Sequence, residues 1–203
     1  PNTNYLMKFE ILKFDSVTST NDVAINLIKK KNKLSGCIYS DLQTKGRGTY
    51  GKKWISEKGN LFLTLFFPIK ETYPSFQEFS IINPVIILHV VKKYCDEKKL
   101  RIKFPNDILY KEKKICGFLQ EFITQKNRKF LIIGIGLNIV SNPNINDGCK
   151  ATNIYIETNI KPPIKEIVNL IIYSYEKFLV NIDSYNYEHY KKKADKLSLK
   201  HQR

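Results

Sequence analysis

The stretch GRGTYGKKW, residues 46 to 54, is followed by a polar turn and then by LFLTLFFP, residues 61 to 68. Gly46, Gly48 and Gly51 have the G-x-G-x-x-G spacing of a dinucleotide-binding loop, which joins a strand to a helix. Here an apolar, aromatic run that stops at a proline follows the glycines, and such a run is typical of a buried strand. The loop therefore joins two strands, which excludes a dinucleotide-binding fold.

The same stretch does not suit a protein-kinase phosphate loop, because no V-A-I-K strand, H-R-D loop or D-F-G sequence follows it. Its other residues include Arg47, Lys52, Lys53 and Trp54, which are cationic or aromatic. Glycines free the backbone to turn, and successive backbone amides can close on an anion. We therefore predict a mobile basic loop that closes on an anionic ligand; a solvated surface loop is the alternative interpretation.

The composition is that of a globular chain with a strong positive charge. It has 203 residues, a net charge of +15 and 42% hydrophobic residues, enough for one domain with a core. Lysines are spread along the whole chain, and no helix-turn-helix, zinc-finger or RNP pattern accompanies them. An acidic protein suits this charge at least as well as a nucleic acid. We expect no DNA partner and, without a long apolar run, no membrane partner.

The cysteines are not spaced for a metal site or for a redox C-x-x-C pair. There are four, at Cys37, Cys95, Cys116 and Cys149. Reduced thiols are typical of a reducing compartment. We expect a cytoplasmic protein, or an organellar one if a targeting segment has been removed.

Strand patterns cluster in hairpins, and helical patterns lie between and after them, which predicts an α+β fold. We expect a mixed, mostly antiparallel sheet with helices packed on one side. The second helix should begin at the box Ser75-x-x-Glu78 and contain Pro84, which implies a kink or a restart. The predicted strands are residues 9–14, 37–41, 61–68, 101–104, 108–110, 115–123 and 130–140.

Several short polar signals stand beside these strands and helices. Ser19-Thr20-Asn21 begins the first helix and can hold a small polar ligand or act as a plain helix cap. In KFPNDILYKEKKICG, residues 103 to 117, a hairpin turn brings Lys114 back beside the strand that Asp107 opens; a polar turn with a solvated lysine is the alternative. The glycines of Gly134-x-Gly136-x-Asn138 lie inside a strand, where glycine often marks close approach of a ligand.

In this order, the signals resemble the motifs of the catalytic domain of biotin–protein ligases. The family's motifs are S-T-N, Q-x-x-GRGRxGRxW, K-W-P-N-D, K-x-x-G-I-L and G-x-G-x-N. The chain has STN at 19–21, QTKGRGTYGKKW at 43–54, KFPND at 103–107, KICGFL at 114–119 and GIGLN at 134–138. It departs from the pattern at Thr49 and Lys52, where arginine is usual, and at Phe104, where tryptophan is usual.

The resemblance covers residues 9 to 199 and implies one catalytic domain, residues 1–203, with a fold like that of class II aminoacyl-tRNA synthetases. We expect no N-terminal DNA-binding domain, and a C-terminal β-barrel module that is absent or truncated. The implied activity is formation of biotinyl-5′-AMP from biotin and Mg-ATP. Biotin is then transferred to a lysine of a biotin carrier domain, such as that of acetyl-CoA carboxylase. A homodimer is compatible with the sequence.

The resemblance also implies roles for individual residues. Lys114 and Arg47 would bridge the biotin carboxylate and the α-phosphate, and Asp107 would lie near the phosphate, assisting Mg²⁺ or the attacking amine. No metal site belongs to the chain itself. The implied biotin-binding residues are Ser19, Thr20, Asn21, Gln43, Gly46, Arg47, Gly48, Thr49, Lys114 and Gly117. The implied nucleotide-binding residues are Arg47, Trp54, Asn106, Lys114 and Asn138, with Trp54 stacked on adenine and Asn138 bonded to its edge.

Two other functions compete with this one. A lipoate–protein ligase shares the acyl-adenylate chemistry, but it typically has an R-R-x-S-G-G-G stretch where this chain has GRGTYGKKW. A non-catalytic basic binding module with the same fold is disfavoured by the presence of both Arg47 and Lys114.

Overall fold

The computed structural model describes residues 7–143 and 150–199, which are built around a seven-stranded sheet. The sheet has the order β1-β2-β3-β7-β6-β5-β4; β1 and β2 are parallel, and every other neighbouring pair is antiparallel. The strands are β1 Ile11–Phe14, β2 Gly36–Ser40, β3 Leu61–Ile69, β4 Leu100–Lys103, β5 Asp107–Tyr110, β6 Lys113–Gln125 and β7 Arg128–Leu137. The predicted α+β class is confirmed.

The helices begin near the predicted caps. They are α1 Thr20–Lys31, α2 Phe76–Val91, α3 Ile154–Thr158, α4 Ile164–Val180 and α5 Tyr187–Leu197. At the start of α2, the Ser75 amide donates to Glu78 at 2.7 Å and the Glu78 amide donates to Ser75 at 3.2 Å, the reciprocal pattern that the sequence predicts. The helix continues through Pro84, so the restart that this proline suggested does not occur.

Helices cover both faces of the sheet, which corrects the expectation that they pack on one side. Leu61, Leu63 and Leu65 of β3 join the large core that also contains residues of α2, α4 and α5. Phe66 points to the other face and packs with Ala24 and Ile28 of α1 in a smaller core. The β3 run has almost no polar alternation, because both of its faces are buried.

Among the described residues, none of the helices combines the length and the apolar character needed to cross a membrane. Cys37, Cys95 and Cys116 are free, buried thiols, as predicted, and Cys149 lies outside the described residues. Burial raises the pKa of the Cys95 thiol to about 11, which leaves little thiolate to react at neutral pH.

Candidate active site

The glycine-rich stretch forms a short hairpin, residues 46–54, which we call the lid hairpin. The Trp54 amide donates to the Gly46 carbonyl at 2.9 Å, and the Gly48 amide donates to the Lys52 carbonyl at 2.7 Å. At the tip, Tyr50 has a φ of 56° and Gly51 a φ of 72°. Because the Gly48 amide is hydrogen-bonded to the Lys52 carbonyl, it is not available to bind an anion in this conformation, contrary to expectation.

The lid hairpin lies on the sheet through the indole ring of Trp54. Gly117 of β6 and Gly136 of β7 are cross-strand partners beneath this ring. A Cβ atom added to Gly117 would lie 2.6 Å from the ring, and one added to Gly136 would lie 2.4 Å from it. These strand glycines are therefore needed for close approach of the protein's own Trp54, whereas the sequence predicted close approach of a ligand at Gly136.

A buried polar group forms the floor beside the start of α1. Thr20 donates to Gln43 Oε1 through its amide at 2.9 Å and its hydroxyl at 3.2 Å. The hydroxyl of Thr64 on β3 donates to Asn21 Oδ1 at 2.6 Å. Ser19 is the N-cap residue of α1, yet its side chain makes no capping hydrogen bond. The plain-cap interpretation of Ser19 therefore fails, and its hydroxyl is not used by its own helix.

The predicted hairpin of β5 and β6 brings Lys114 beside Asp107. Lys114 Nζ lies 2.7 Å from Asp107 Oδ1, and both side chains are at most 20% exposed. The angles at Oδ1 do not satisfy hydrogen-bond geometry, so the contact is an ion pair by distance. Lys114 Nζ is also 5.1 Å from the ring centroid of Trp54. Next to this pair, Asn106 donates to the Thr49 hydroxyl at 3.3 Å, which links the turn to the lid hairpin.

Lys114 is supported by residues 150–157, a segment that the sequence analysis did not assign to the site. Its amide donates to the Lys150 carbonyl at 2.8 Å, and its carbonyl accepts from the Thr152 amide at 2.9 Å. Glu157, only 7% exposed, pairs with Lys111 at 2.8 Å and with Lys113 at 3.4 Å, and it accepts from the Thr152 hydroxyl at 2.8 Å. Burial raises the pKa of Glu157, but bonds from Lys111 and Thr152 outweigh burial and lower it overall.

Arg47 is engaged by two carboxylates that the sequence analysis also missed. Its Nη1 donates to Glu121 Oε1 at 2.9 Å, and its Nη2 donates to Glu121 Oε2 at 2.8 Å and to Asp22 Oδ1 at 2.8 Å. The hydrogen bond and charge of Glu121 raise the pKa of the Arg47 guanidinium. No sequence signal pairs these residues, because Glu121 lies 74 positions from Arg47.

A cavity of about 50 Å³ lies beneath the lid hairpin. Pockets for small molecules usually measure about 300–1,000 Å³, so a ligand of that size requires Trp54 and the lid hairpin to move. Eleven predicted residues line this cavity: Ser19, Thr20, Asn21, Gln43, Arg47, Gly48, Thr49, Trp54, Asn106, Lys114 and Gly117.

Three predicted site residues do not line the cavity. Asp107 is joined to it through Lys114. Gly46 is packed against the backbone of the lid hairpin, where an added Cβ would lie 2.3 Å from the Trp54 carbonyl oxygen. Asn138 is buried and donates to the Thr152 carbonyl at 3.0 Å. Its predicted contact with adenine therefore gains no support from this geometry.

The described residues contain no group of three or more His, Cys, Asp or Glu side chains that could hold a metal ion. The nearest carboxylate to the cavity lysine is Asp107. One carboxylate could take part in holding Mg²⁺ only together with the phosphates of a bound nucleotide, because this ion is commonly held by one or two carboxylates and substrate phosphates.

Comparison with known proteins identifies one family. The model of the biotin/lipoate A/B protein ligase family matches residues 13–138. The bifunctional ligase/repressor BirA of Escherichia coli is 29% identical over 125 residues, which are 61% of this chain and 38% of that protein. Biotin–protein ligase 2 of Arabidopsis thaliana is 31% identical over 177 residues, which are 80% of this chain and 50% of that protein.

A solved structure supports the same assignment. The biotin protein ligase from Leishmania major, in complex with biotin, has a TM-score of 0.80 and 27% identity, over 97% of this chain and 83% of that chain. The matches to BirA and to the Arabidopsis thaliana ligase cover 38% and 50% of those proteins, so this chain spans half the length, or less, of these two curated relatives. The matched segment includes the lid hairpin, the Lys114 hairpin and the glycines of β7. The chain belongs to the biotin/lipoate A/B protein ligase family.

Proposed function

We propose that this chain activates biotin as biotinyl-5′-AMP and transfers it to a lysine of a carrier domain. The observation that carries the proposal is the partly buried ion pair of Lys114 and Asp107, whose lysine lines the cavity between the polar floor and the lid hairpin. Among its relatives, the Leishmania major enzyme has been solved with biotinyl-5-AMP, and it is 29% identical over 97% of this chain.

The first step joins two anions. An oxygen of the biotin carboxylate attacks the α-phosphorus of ATP, and pyrophosphate leaves with the electron pair of the broken P–O bond. Lys114 would offset their repulsion, and its ammonium lies 2.7 Å from the Asp107 carboxylate beside the cavity. Mg²⁺, bound with ATP, would neutralise phosphate charge beside Asp107.

The second step requires a neutral amine. A free lysine has a pKa near 10.4, so only about one in 2,500 is neutral at pH 7. The amine attacks the acyl carbon of biotinyl-AMP, AMP leaves, and the amine proton must go to a base. Asp107 is the carboxylate nearest the cavity lysine. Its charge would also favour the protonated amine, so attraction and deprotonation oppose each other at this residue.

The floor favours biotin over lipoate. Ser19, Thr20 and Asn21 are each at most 4% exposed, and with Gln43 they line the cavity. The ureido ring of biotin offers both donors and acceptors to such groups, whereas the dithiolane ring of lipoate has no N–H or C=O group to bond to them. Sites built for hydrogen bonding reject analogues that lack the bonding groups. The cytoplasm is the proposed compartment, since the cysteines described are free thiols.

Pyrophosphate exchange tests the proposal. The protein is incubated with Mg-ATP and labelled pyrophosphate, with either biotin or lipoate. We expect label to enter ATP with biotin alone. Exchange with lipoate alone would assign the chain to the other branch of the family, and exchange with neither acid would contradict an enzymatic function.

A further inference from the structure

We propose that Arg47 and Glu121 are positioning residues that latch the lid hairpin to the sheet, and that Arg47 does not bridge carboxylate and phosphate. This inference rests on the proposed function. It changes the role that the sequence resemblance implied for Arg47, and it gives Glu121 a role that the family's motifs do not assign.

Both terminal nitrogens of Arg47 donate to carboxylates of the protein. The two carboxylate oxygens of Glu121 accept from Nη1 and Nη2 of Arg47 at 2.9 and 2.8 Å. Two such parallel hydrogen bonds match the geometry of a guanidinium and a carboxylate. Nη2 also donates to Asp22 at 2.8 Å. The remaining nitrogen, Nε, is buried and has no hydrogen-bond partner among the described residues. Nε and one Nη1 hydrogen remain for other partners, but Arg47 would have to release Glu121 to offer the paired Nη1 and Nη2 donors to ligand anions.

The lid hairpin and the polar floor share the carboxylate of Glu121. Glu121 Oε2 accepts from Arg47 and, at 2.8 Å, from the side-chain amide of Asn21. Asn21 in turn accepts from Thr64 at 2.6 Å. A shift of Glu121 therefore disturbs the lid and the ligand-binding floor together, so closure of the lid is coupled to the arrangement of the floor.

The lid hairpin has to open before biotin and ATP can enter. The cavity of about 50 Å³ is too small for biotin and ATP while Trp54 covers Gly117 and Gly136. Arg47, Glu121 and Asp22 have side chains that are 36%, 28% and 39% exposed. Water can therefore compete for these ion pairs, and the latch can be released without unfolding the sheet.

Trp54 makes the latch measurable without any ligand, because it is the only tryptophan in the chain. We would compare acrylamide quenching of its fluorescence in the wild type, Arg47→Ala, Glu121→Gln and the double variant. We expect stronger quenching in both single variants. We also expect biotinyl-AMP to escape from each roughly tenfold faster. In the double variant, the increase in biotinyl-AMP escape should be smaller than the two single effects combined, because both substitutions remove the same Arg47–Glu121 ion pair.

Two further variants serve as controls. Asp22→Asn leaves the Glu121 pair intact and should have a smaller effect. Lys45→Ala removes an exposed charge next to the lid hairpin and should change neither quenching nor escape. Unchanged quenching in Glu121→Gln, or additive effects in the double variant, would overturn the latch. If the wild type formed no biotinyl-AMP, the proposed function would fail, while quenching would still decide whether the latch exists.

Discussion

Lys114 and Arg47 line the same cavity but are held in different ways. Lys114 lies within β6, where the backbone of residues 150–152 pairs with it and the buried Glu157 fixes the turn before it. Arg47 lies in the lid hairpin, and its side chain is held by half-exposed ion pairs. A cation that contacts a reacting group benefits from a rigid support. A cation that holds a lid closed must instead be able to break its ion pairs, so that the lid can open.

Replacing the rigidly held cation should have the largest effect. Lys114→Ala removes one preorganised donor, a loss of about 3 kcal/mol or roughly a hundredfold in the rate of adenylate formation. Rapid quench of biotinyl-AMP formation measures this rate. Lys103→Ala, an exposed lysine on β4, is the matched control and should behave like the wild type. Near-normal adenylate formation by Lys114→Ala would remove Lys114 from the chemistry.

Strengthening the lid should have the next largest effect. The family motif has arginine at position 49, and here Thr49 offers one hydroxyl, bonded to Asn106 at 3.3 Å. A charge-assisted contact contributes about 1.5–3 kcal/mol, so Thr49→Arg should slow escape of biotinyl-AMP roughly ten- to a hundredfold. The variant should label serum albumin less than the wild type when no carrier is present. Equal labelling, with equal retention of biotinyl-AMP through gel filtration, would show that Thr49 does not make the lid leaky.

Weakening the rigid support should cost stability. Glu157→Gln removes the charge that pairs with Lys111 and Lys113, and we expect a loss of at most about 1 kcal/mol in the free energy of unfolding at pH 7, because the two lysines are 47% and 43% exposed. The pKa of Glu157 is lowered from its ordinary 4.5, so its contribution is present above that value and is lost as the pH falls through the folded-state pKa. Urea unfolding of both proteins at several pH values should show the difference shrinking in acid. A constant difference would contradict this origin.

Salt should give the smallest effect, and mainly on the second step. A net charge of +15 attracts an acidic carrier domain, and this attraction is screened over about 8 Å at physiological salt. Raising the salt concentration should slow transfer to the carrier more than it slows adenylate formation. The two rates can be measured on one preparation, and equal slowing would count against electrostatic attraction of the carrier.

Local signals in the sequence predicted more of the site than of its supports. The Lys114 hairpin was predictable because a turn of known length lies between Asp107 and Lys114. The positions of Glu121 and Glu157 were not, since they meet Arg47 and Lys113 from 74 and 44 residues away. The apolar run of β3 was a sequence signal for a helix on the second face of the sheet, where α1 lies, because a strand without polar alternation is buried on both faces.

The difference between the two cations is tested most directly by one rapid-quench experiment at saturating biotin and Mg-ATP. Biotinyl-AMP, both bound and released, is followed over time in the wild type, Lys114→Ala and Arg47→Ala. We predict that Lys114→Ala forms the intermediate roughly a hundredfold more slowly. Arg47→Ala should form it at nearly the wild-type rate and release it faster. Loss of adenylate formation in Arg47→Ala as severe as that in Lys114→Ala would contradict the assignment of chemistry to one cation and closure to the other.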